Sequence, residues 1–295
     1  EGADLIVRNP TVRRSSKFLQ LARATGVPIE MEMSLFLRAC PAPVIGVTGT
    51  KGKTTTAYLC AAMLRAWDER TVLAGNMGIS AVGQLDRIAP DTPVVLEISS
   101  WQLEALDEHG LSPHIAVLTN ISEDHLDTYA GFAEYADTGG DGCWITSEGV
   151  RARIGEVDAV IPMPAGWGEH RVANAAAAIA AAILRGAPVE AVVAGLAAFP
   201  GVKDREEVVA EIDGVLFIND TAATAPAATV AALRSHAGRR IHLIAGGADK
   251  QLNLWPLARA AQDAGAVVYL LAGSATPRLG EMLVAVQAPV HGPFD

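Results

Sequence analysis

The sequence predicts an α/β fold built on a largely parallel sheet, and three observations lead there. Short apolar segments alternate with helical stretches along most of the 295 residues, the pattern left when strands are joined by crossover helices. A Gly/Thr-rich loop stands between one such segment and a helical stretch. Further on, an Asp-Gly pair separates two β-type runs and marks a hairpin.

The apolar segments in chain order are residues 43–47, 94–98, 115–118, 159–161, 241–245 and 267–271. The first leads into a helix expected over 54–64. The alanine-rich stretch 174–184 is read as a helix covering a sheet, because Ala is the best helix former and its small side chain permits close packing. Pro200-Gly201 follows another helical stretch and reads as a linker. Runs 207–212 and 215–218 flank Asp213-Gly214, and a type I′ turn needs positive φ at both central residues. A domain is expected to begin near that hairpin.

Half of the residues are apolar, enough for a sizeable core, and the length predicts two domains. No run approaches the roughly 18 apolar residues of a membrane helix, and nothing after Glu1 has the form of a signal peptide. A soluble, cytoplasmic protein is expected. The net charge of −10 argues against a nucleic-acid partner, since such binders concentrate Lys and Arg. Cys40, Cys60 and Cys143 are far apart with no CxxC pair, which fits a reducing compartment and small buried apolar roles.

The loop reads Gly46-Val47-Thr48-Gly49-Thr50-Lys51-Gly52-Lys53-Thr54-Thr55. Strand, loop and helix in this order aim backbone N–H groups and a positive helix end at one point, which suits a polyphosphate. Lys53 would reach the β/γ-phosphates and the Thr54 hydroxyl would ligate Mg²⁺. The spacing departs from the standard P-loop: Val47 stands where the first glycine belongs, flanked by Gly46 and Gly49. ATP or GTP binding follows, but no particular reaction.

Two strand ends carry further chemistry. Glu97 closes the apolar run from Val94, and a carboxylate at the C-terminal edge of a parallel strand faces the ligand crevice, where it could hold Mg²⁺. After Leu118 comes Thr119-Asn120-Ile121-Ser122-Glu123-Asp124-His125-Leu126-Asp127. His125 would be an unusual magnesium ligand, yet among three acidic residues it is a candidate for metal binding or nucleophile positioning.

Taken in order, residues 49–55, Gly75-Asn76-Met77-Gly78, residues 97–104 and residues 120–127 resemble the Mur ligases of peptidoglycan synthesis, above all those that add D-glutamate. The resemblance continues in residues 168–174 and 219–224 and covers nearly the whole chain. It implies a UDP-substrate domain remnant (1–42), a central P-loop ATPase domain (43–200) and a Rossmann-like C-terminal amino-acid-binding domain (201–295). It assigns the nucleotide to Gly49, Thr50, Lys51, Gly52, Lys53, Thr54, Thr55, Asn76, Asn174, Arg205 and Asp220. Thr54, Glu97 and His125 serve Mg²⁺, with Lys53, Glu97 and His125 as the catalytic set. Ser99, Ser100, Gln102 and Lys250 fall on the substrate side. The implied substrates are ATP, UDP-N-acetylmuramoyl-L-alanine and glutamate, handled by a monomer with no membrane or nucleic-acid partner.

The implied chemistry is coherent. A carboxylate is a poor acyl donor, so γ-phosphoryl transfer makes an acyl phosphate from which an amine displaces phosphate, and positive charge offsets the developing phosphoryl charge. Domain closure would bring the reactants together and exclude water. The sequence also departs from the family. Residues 1–42 resemble only the end of the UDP domain. Tyr135-Ala136-Asp137 runs into Thr138-Gly139-Gly140 without the family's carbamylated lysine. Asp204 replaces a usual His before Arg205, Ala222 replaces a usual Lys, and the sequence ends at Asp295 before the family's last glutamate-binding segment. A truncated or gapped form of a longer enzyme is the expectation, with a divergent relative as the alternative. Another superfamily ligase, such as a folylpolyglutamate synthase or an L-glutamate-adding enzyme, and a non-catalytic nucleotide-binding protein stay open as alternatives.

Overall fold

A computed structural model describes residues 3–12, 15–120 and 142–295, which divide into two compact units, 1–200 and 201–295. The first unit opens with β1 (Ile6–Val7), α1 (Lys17–Ala24), β2 (Ile29–Glu30) and α2 (Glu32–Ala39). It continues through β3 (Val44–Thr48), α3 (Lys53–Trp67), β4 (Val72–Gly75), a 3₁₀ turn (Val82–Arg87), β5 (Val94–Glu97), α4 (Ser100–Glu108) and β6 (Ile115–Leu118). Then come β7 (Gly142–Thr146), β8 (Gly149–Ile154), β9 (Val157–Ile161), α5 (Glu169–Leu184) and α6 (Val189–Ala197).

The main sheet is parallel, in the order β4-β5-β3-β6. Strands β3, β4 and β5 are buried on both faces, so they read as unbroken apolar runs, whereas β6 at the sheet edge buries Val117 and exposes Leu118. Alternate residues divide between two cores. Ile45, Val47 and Val95 pack with Ala57, Cys60, Ala61 and Leu64 of α3 and with Ala178, Ile179 and Ala182 of α5. Val44, Val94 and Leu96 pack on the other side with Phe36 of α2 and Leu106 of α4. Each large side chain buried here contributes about 1.5–3 kcal/mol. The alanines of α5 contribute less individually, but they let the helix lie close to α3. Burial pushes the Cys60 and Cys143 thiols up to about 12, consistent with apolar roles.

Strands β7, β8 and β9 form an antiparallel meander beside the parallel sheet, and the segment 159–161 that the sequence grouped with the alternating strands belongs to it. Val150, Ala152 and Ile154 point into the core while Arg151 and Arg153 alternate outward and meet Asp158. Such a half-buried strand has period 2 and lacks the unbroken apolar run that marks the parallel strands.

The second unit begins with the hairpin β10 (Glu207–Ile212) and β11 (Val215–Asn219). Asp213 and Gly214 both have positive φ, 51° and 78°, as a type I′ turn requires. There follow α7 (Pro226–Ser235), β12 (His242–Ala245), α8 (Trp255–Asp263), β13 (Val267–Leu271), α9 (Thr276–Ala285) and β14 (Val290–Phe294). Strands β12, β13 and β14 form a parallel sheet, and a separate core joins Leu233, Leu257, Ala261, Val268, Leu270, Leu279 and Leu283. Among the described residues no helix is long and apolar enough to cross a membrane.

Candidate functional site

In the order β4-β5-β3-β6 the connection from β3 crosses to β4 on one side of the sheet and that from β5 crosses to β6 on the other, so the winding reverses beside β3. Ligands of open α/β sheets bind beyond the carboxyl ends of the strands at such a switch point. Residues 49–52 leave β3 there and turn into α3, whose N-cap is Gly52 at φ 81° with no side-chain cap. The first-turn N–H groups of a helix lack intrahelical acceptors, and with the helix dipole they favour an anion. Lys53 Nζ donates to the carbonyls of Gly49 (2.8 Å) and Thr50 (3.1 Å), so its charge is held over the loop. Thr54 and Thr55 follow in the first turn, partly buried.

Neighbours crowd the two loop glycines. A Cβ on Gly49 would collide with Thr119 Oγ1, and one on Gly52 with Asn174 Oδ1. The Asn174 amide, on α5, therefore lies against the loop. Thr119 and Asn120, directly after β6, bond to the loop backbone. This role was not foreseen from the sequence, where both were only part of a polar cluster, and the sole signal was their place at a strand end.

Glu97 ends β5 opposite Val47 of β3 and is 3% exposed. Its Oε1 accepts from Asn76 Nδ2 at 3.2 Å, and the Asn76 N–H donates to the Glu97 carbonyl at 2.9 Å. Its Oε2 is buried and has no hydrogen-bond partner among the described residues. An unsatisfied buried carboxylate oxygen costs about 1–3 kcal/mol or more, and a bound cation would offset that cost. Among the described residues no three His, Cys, Asp or Glu side chains cluster around a metal position. Mg²⁺ does not need such a cluster, since it takes one or two carboxylates together with hydroxyl, water and phosphate oxygens. Glu97 and Thr54 fit that donor chemistry. His125, with Glu123, Asp124 and Asp127, lies outside the described residues.

The residues after Glu97 have a local structural task. Ser99 is the N-cap of α4 and forms a capping box with Gln102: the Ser99 N–H donates to Gln102 Oε1 at 2.8 Å and the Gln102 N–H to Ser99 Oγ at 3.4 Å. Both are buried, whereas Ser100 and Trp101 are exposed at the first helical turn.

The second unit holds two further groups. Asp220 Oδ1 accepts from the Glu206 N–H at 3.1 Å, and Asn219 Nδ2 donates to Asp204 Oδ1 at 2.8 Å. These bonds hold residues 204–206 against the end of β11, with Arg205 between them. Burial raises the Asp220 carboxyl above its ordinary value, the Glu206 charge adds to this, and the Glu206 N–H and Arg205 oppose it. Asp204 and Glu206 both have positive φ, 61° and 44°. Lys250 is exposed beside Asp249, whose carboxylate takes Arg278 Nη1 at 2.6 and 2.9 Å. Arg278 Nη2 donates to the Leu252 carbonyl at 2.7 Å, fixing both sides of Lys250.

Comparison with known proteins gives a consistent result. Residues 47–140 match the Mur ligase middle domain. A UDP-N-acetylmuramoylalanine–D-glutamate ligase of Roseiflexus sp. (strain RS-1) is 41% identical over 348 residues, spanning 99% of this chain and 74% of that protein. The matched span exceeds the 295 residues of this chain, so that relative carries residues within it that are absent here. A protein of the same name from Symbiobacterium thermophilum is 35% identical, covering 94% of this chain and 70% of its own length. The crystal structure of a UDP-N-acetylmuramate-alanine ligase from Thermotoga maritima shares the fold, with a TM-score of 0.62 at 20% identity over 99% of this chain and 76% of that one. The chain belongs to the Mur ligase family.

Proposed function

We propose that this protein is an ATP-dependent ligase joining the amine of D-glutamate to the carboxylate of UDP-N-acetylmuramoyl-L-alanine. The observation that carries the reading is the buried Glu97 oxygen, without a partner among the described residues, on the strand next to the phosphate-binding loop, which supports a nucleotide-plus-cation site. The choice of acceptor and amino acid rests on the relatives' names and on the length of chain they match.

In this reading residues 43–200 are a P-loop ATPase domain, 201–295 a Rossmann-like domain for the amino acid, and 1–42 the end of a UDP-substrate domain. Gly52 and the first turn of α3 hold the phosphates, with Lys53 released from the Gly49 and Thr50 carbonyls to meet them, and Gly49, Thr50 and Lys51 give the loop its shape around the nucleotide. Asn76, Asn174, Arg205 and Asp220 complete the nucleotide contacts. Thr54, Glu97 and His125 would hold Mg²⁺, which supplies positive charge at the phosphoryl oxygens. An acceptor carboxylate oxygen attacks the γ-phosphorus and ADP leaves. The amine then attacks the acyl carbon, and phosphate leaves with that oxygen. Ser100 and Lys250 stand on the substrate side. Ser99 and Gln102 act there by fixing the start of α4, since their polar groups are engaged in its cap. The substrates are small molecules of the cytoplasm, and the protein works as a monomer.

The test is ATP turnover with a panel of acceptors and amino acids. ADP release that depends on both UDP-N-acetylmuramoyl-L-alanine and D-glutamate supports the reading. Turnover with a folate acceptor or with L-glutamate transfers it to another ligase of the superfamily. Binding of ATP without turnover under any pairing points to a non-catalytic role.

A further inference from the structure

We propose that Thr119 and Asn120 are positioning residues that set the shape of the phosphate-binding loop and decide which of its N–H groups face the phosphates. The inference rests on nucleotide binding at this loop.

Asn120 clasps Lys51 from both sides. Its Oδ1 accepts the Lys51 N–H at 3.1 Å, and its Nδ2 donates to the Lys51 carbonyl at 2.9 Å. The two bonds copy a rung of a β-ladder with a side-chain amide in place of a backbone. The Asn120 carbonyl takes the Thr50 N–H at 2.9 Å. Thr119 Oγ1 lies 2.5 Å from the Lys51 carbonyl and 3.1 Å from that of Thr48, and its single proton serves one of them at a time. Thr119 is itself anchored to β3, its N–H donating to the Thr48 carbonyl at 2.9 Å.

Two consequences follow. The N–H groups of Thr50 and Lys51, which a phosphate loop would ordinarily present to its ligand, are turned toward the end of β6. The phosphates are left to the Gly52 N–H, the first turn of α3 and Lys53. Each amide atom of Asn120 is also engaged with Lys51, so its side chain acts on the nucleotide through the loop. The glycine at position 49 belongs to the same arrangement. Its φ of 134° and the 2.9 and 3.0 Å that would separate a Cβ from Asn120 O and N admit no larger residue while the clasp is closed.

The test compares equilibrium binding of ATP, ADP and AMP to the wild-type chain and to Asn120→Ala, Thr119→Val and Thr119→Ser. AMP lacks the β- and γ-phosphates that meet the loop, so it reports on binding of the base, ribose and α-phosphate. For Asn120→Ala the Kd for ATP and ADP is expected to rise roughly tenfold, equivalent to about 1.4 kcal/mol, while that for AMP stays within twofold. Thr119→Val shifts in the same sense by roughly threefold, and Thr119→Ser, which keeps the hydroxyl, binds like wild type. An equal loss for all three nucleotides, or unchanged ATP and ADP affinity in both Asn120→Ala and Thr119→Val, overturns the inference. Thr119→Val carries the test if Asn120→Ala does not fold. A wild-type chain that binds none of the three overturns the nucleotide reading itself, whereas wild-type binding with unaffected variants overturns only the role of the clasp.

Discussion

Replacing Glu97 by Gln separates the cost of an oxygen that has no partner among the described residues from its use. Oε1, which accepts from Asn76, is retained as the amide oxygen, and the orphaned Oε2 becomes a neutral NH2 of nearly the same size. Removing an unsatisfied buried charge returns about 1–3 kcal/mol, and leaving an unpartnered amide donor in its place takes back about 1 kcal/mol. Without metal the variant is therefore expected to be as stable as wild type or more stable by up to about 2 kcal/mol, a rise of no more than several degrees in Tm. With MgADP at tenfold its Kd, wild type gains about 1.4 kcal/mol over the unliganded protein. The variant should show little of the metal-dependent part, and its kcat should fall by roughly 10²–10³. Thermal unfolding in EDTA, in ADP alone and in MgADP reads all of these. A variant less stable than wild type in EDTA by more than about 1 kcal/mol, or one that keeps the full response to Mg²⁺, would refute the reasoning.

Further outcomes follow from the same geometry. Gly49→Ala forces a left-handed φ on a residue with a Cβ and pushes it into Thr119, at a cost of about 1–3 kcal/mol; urea unfolding should show the loss together with weakened ADP binding, and an unchanged midpoint would contradict it. The Arg278 guanidinium holds the Asp249 carboxyl below its ordinary value. The stability this pair contributes is present above the unfolded carboxylate pKa of about 3.9 and is lost as pH falls through the lower folded value. Arg278→Met should weaken that acid-limb dependence and raise KM for the amino acid through Lys250, and a changed KM with an unchanged acid limb would refute the link. The raised Asp220 has the opposite sign: its unfavourable contribution is absent in acid and grows as pH rises from about 3.9 through the folded value. Asp220→Asn should accordingly gain stability relative to wild type more at pH 7 than at pH 4, measured by urea titration, and an equal difference at both pH values would count against it.

The parts of the fold legible in the sequence are those where one physical rule governs a run of residues. Residues 44–47 and 94–96 are buried on both faces, so they read as unbroken apolar segments. Asp213-Gly214 announced its turn because both positions need positive φ. The β7–β9 meander was mostly hidden, because the alternation of Val150, Arg151, Ala152 and Arg153 is short and only 159–161 stood out as apolar. At the site, Glu97 was legible because it ends a recognisable strand, and Lys53 because it follows the Gly/Thr loop between a strand and a helix. The engagement of Ser99 with Gln102 and of Asn120 with Lys51 depends on backbone geometry that residue type alone does not specify.

The measurement that tests the central claim most directly is oxygen transfer from the acceptor to phosphate. UDP-N-acetylmuramoyl-L-alanine labelled with ¹⁸O in its terminal carboxylate is incubated with ATP, D-glutamate and the enzyme, and the released phosphate is analysed by mass spectrometry. An acyl-phosphate ligase delivers one labelled oxygen to each phosphate, in step with amide product and ADP. Unlabelled phosphate, or ADP formed without amide product, would contradict the account.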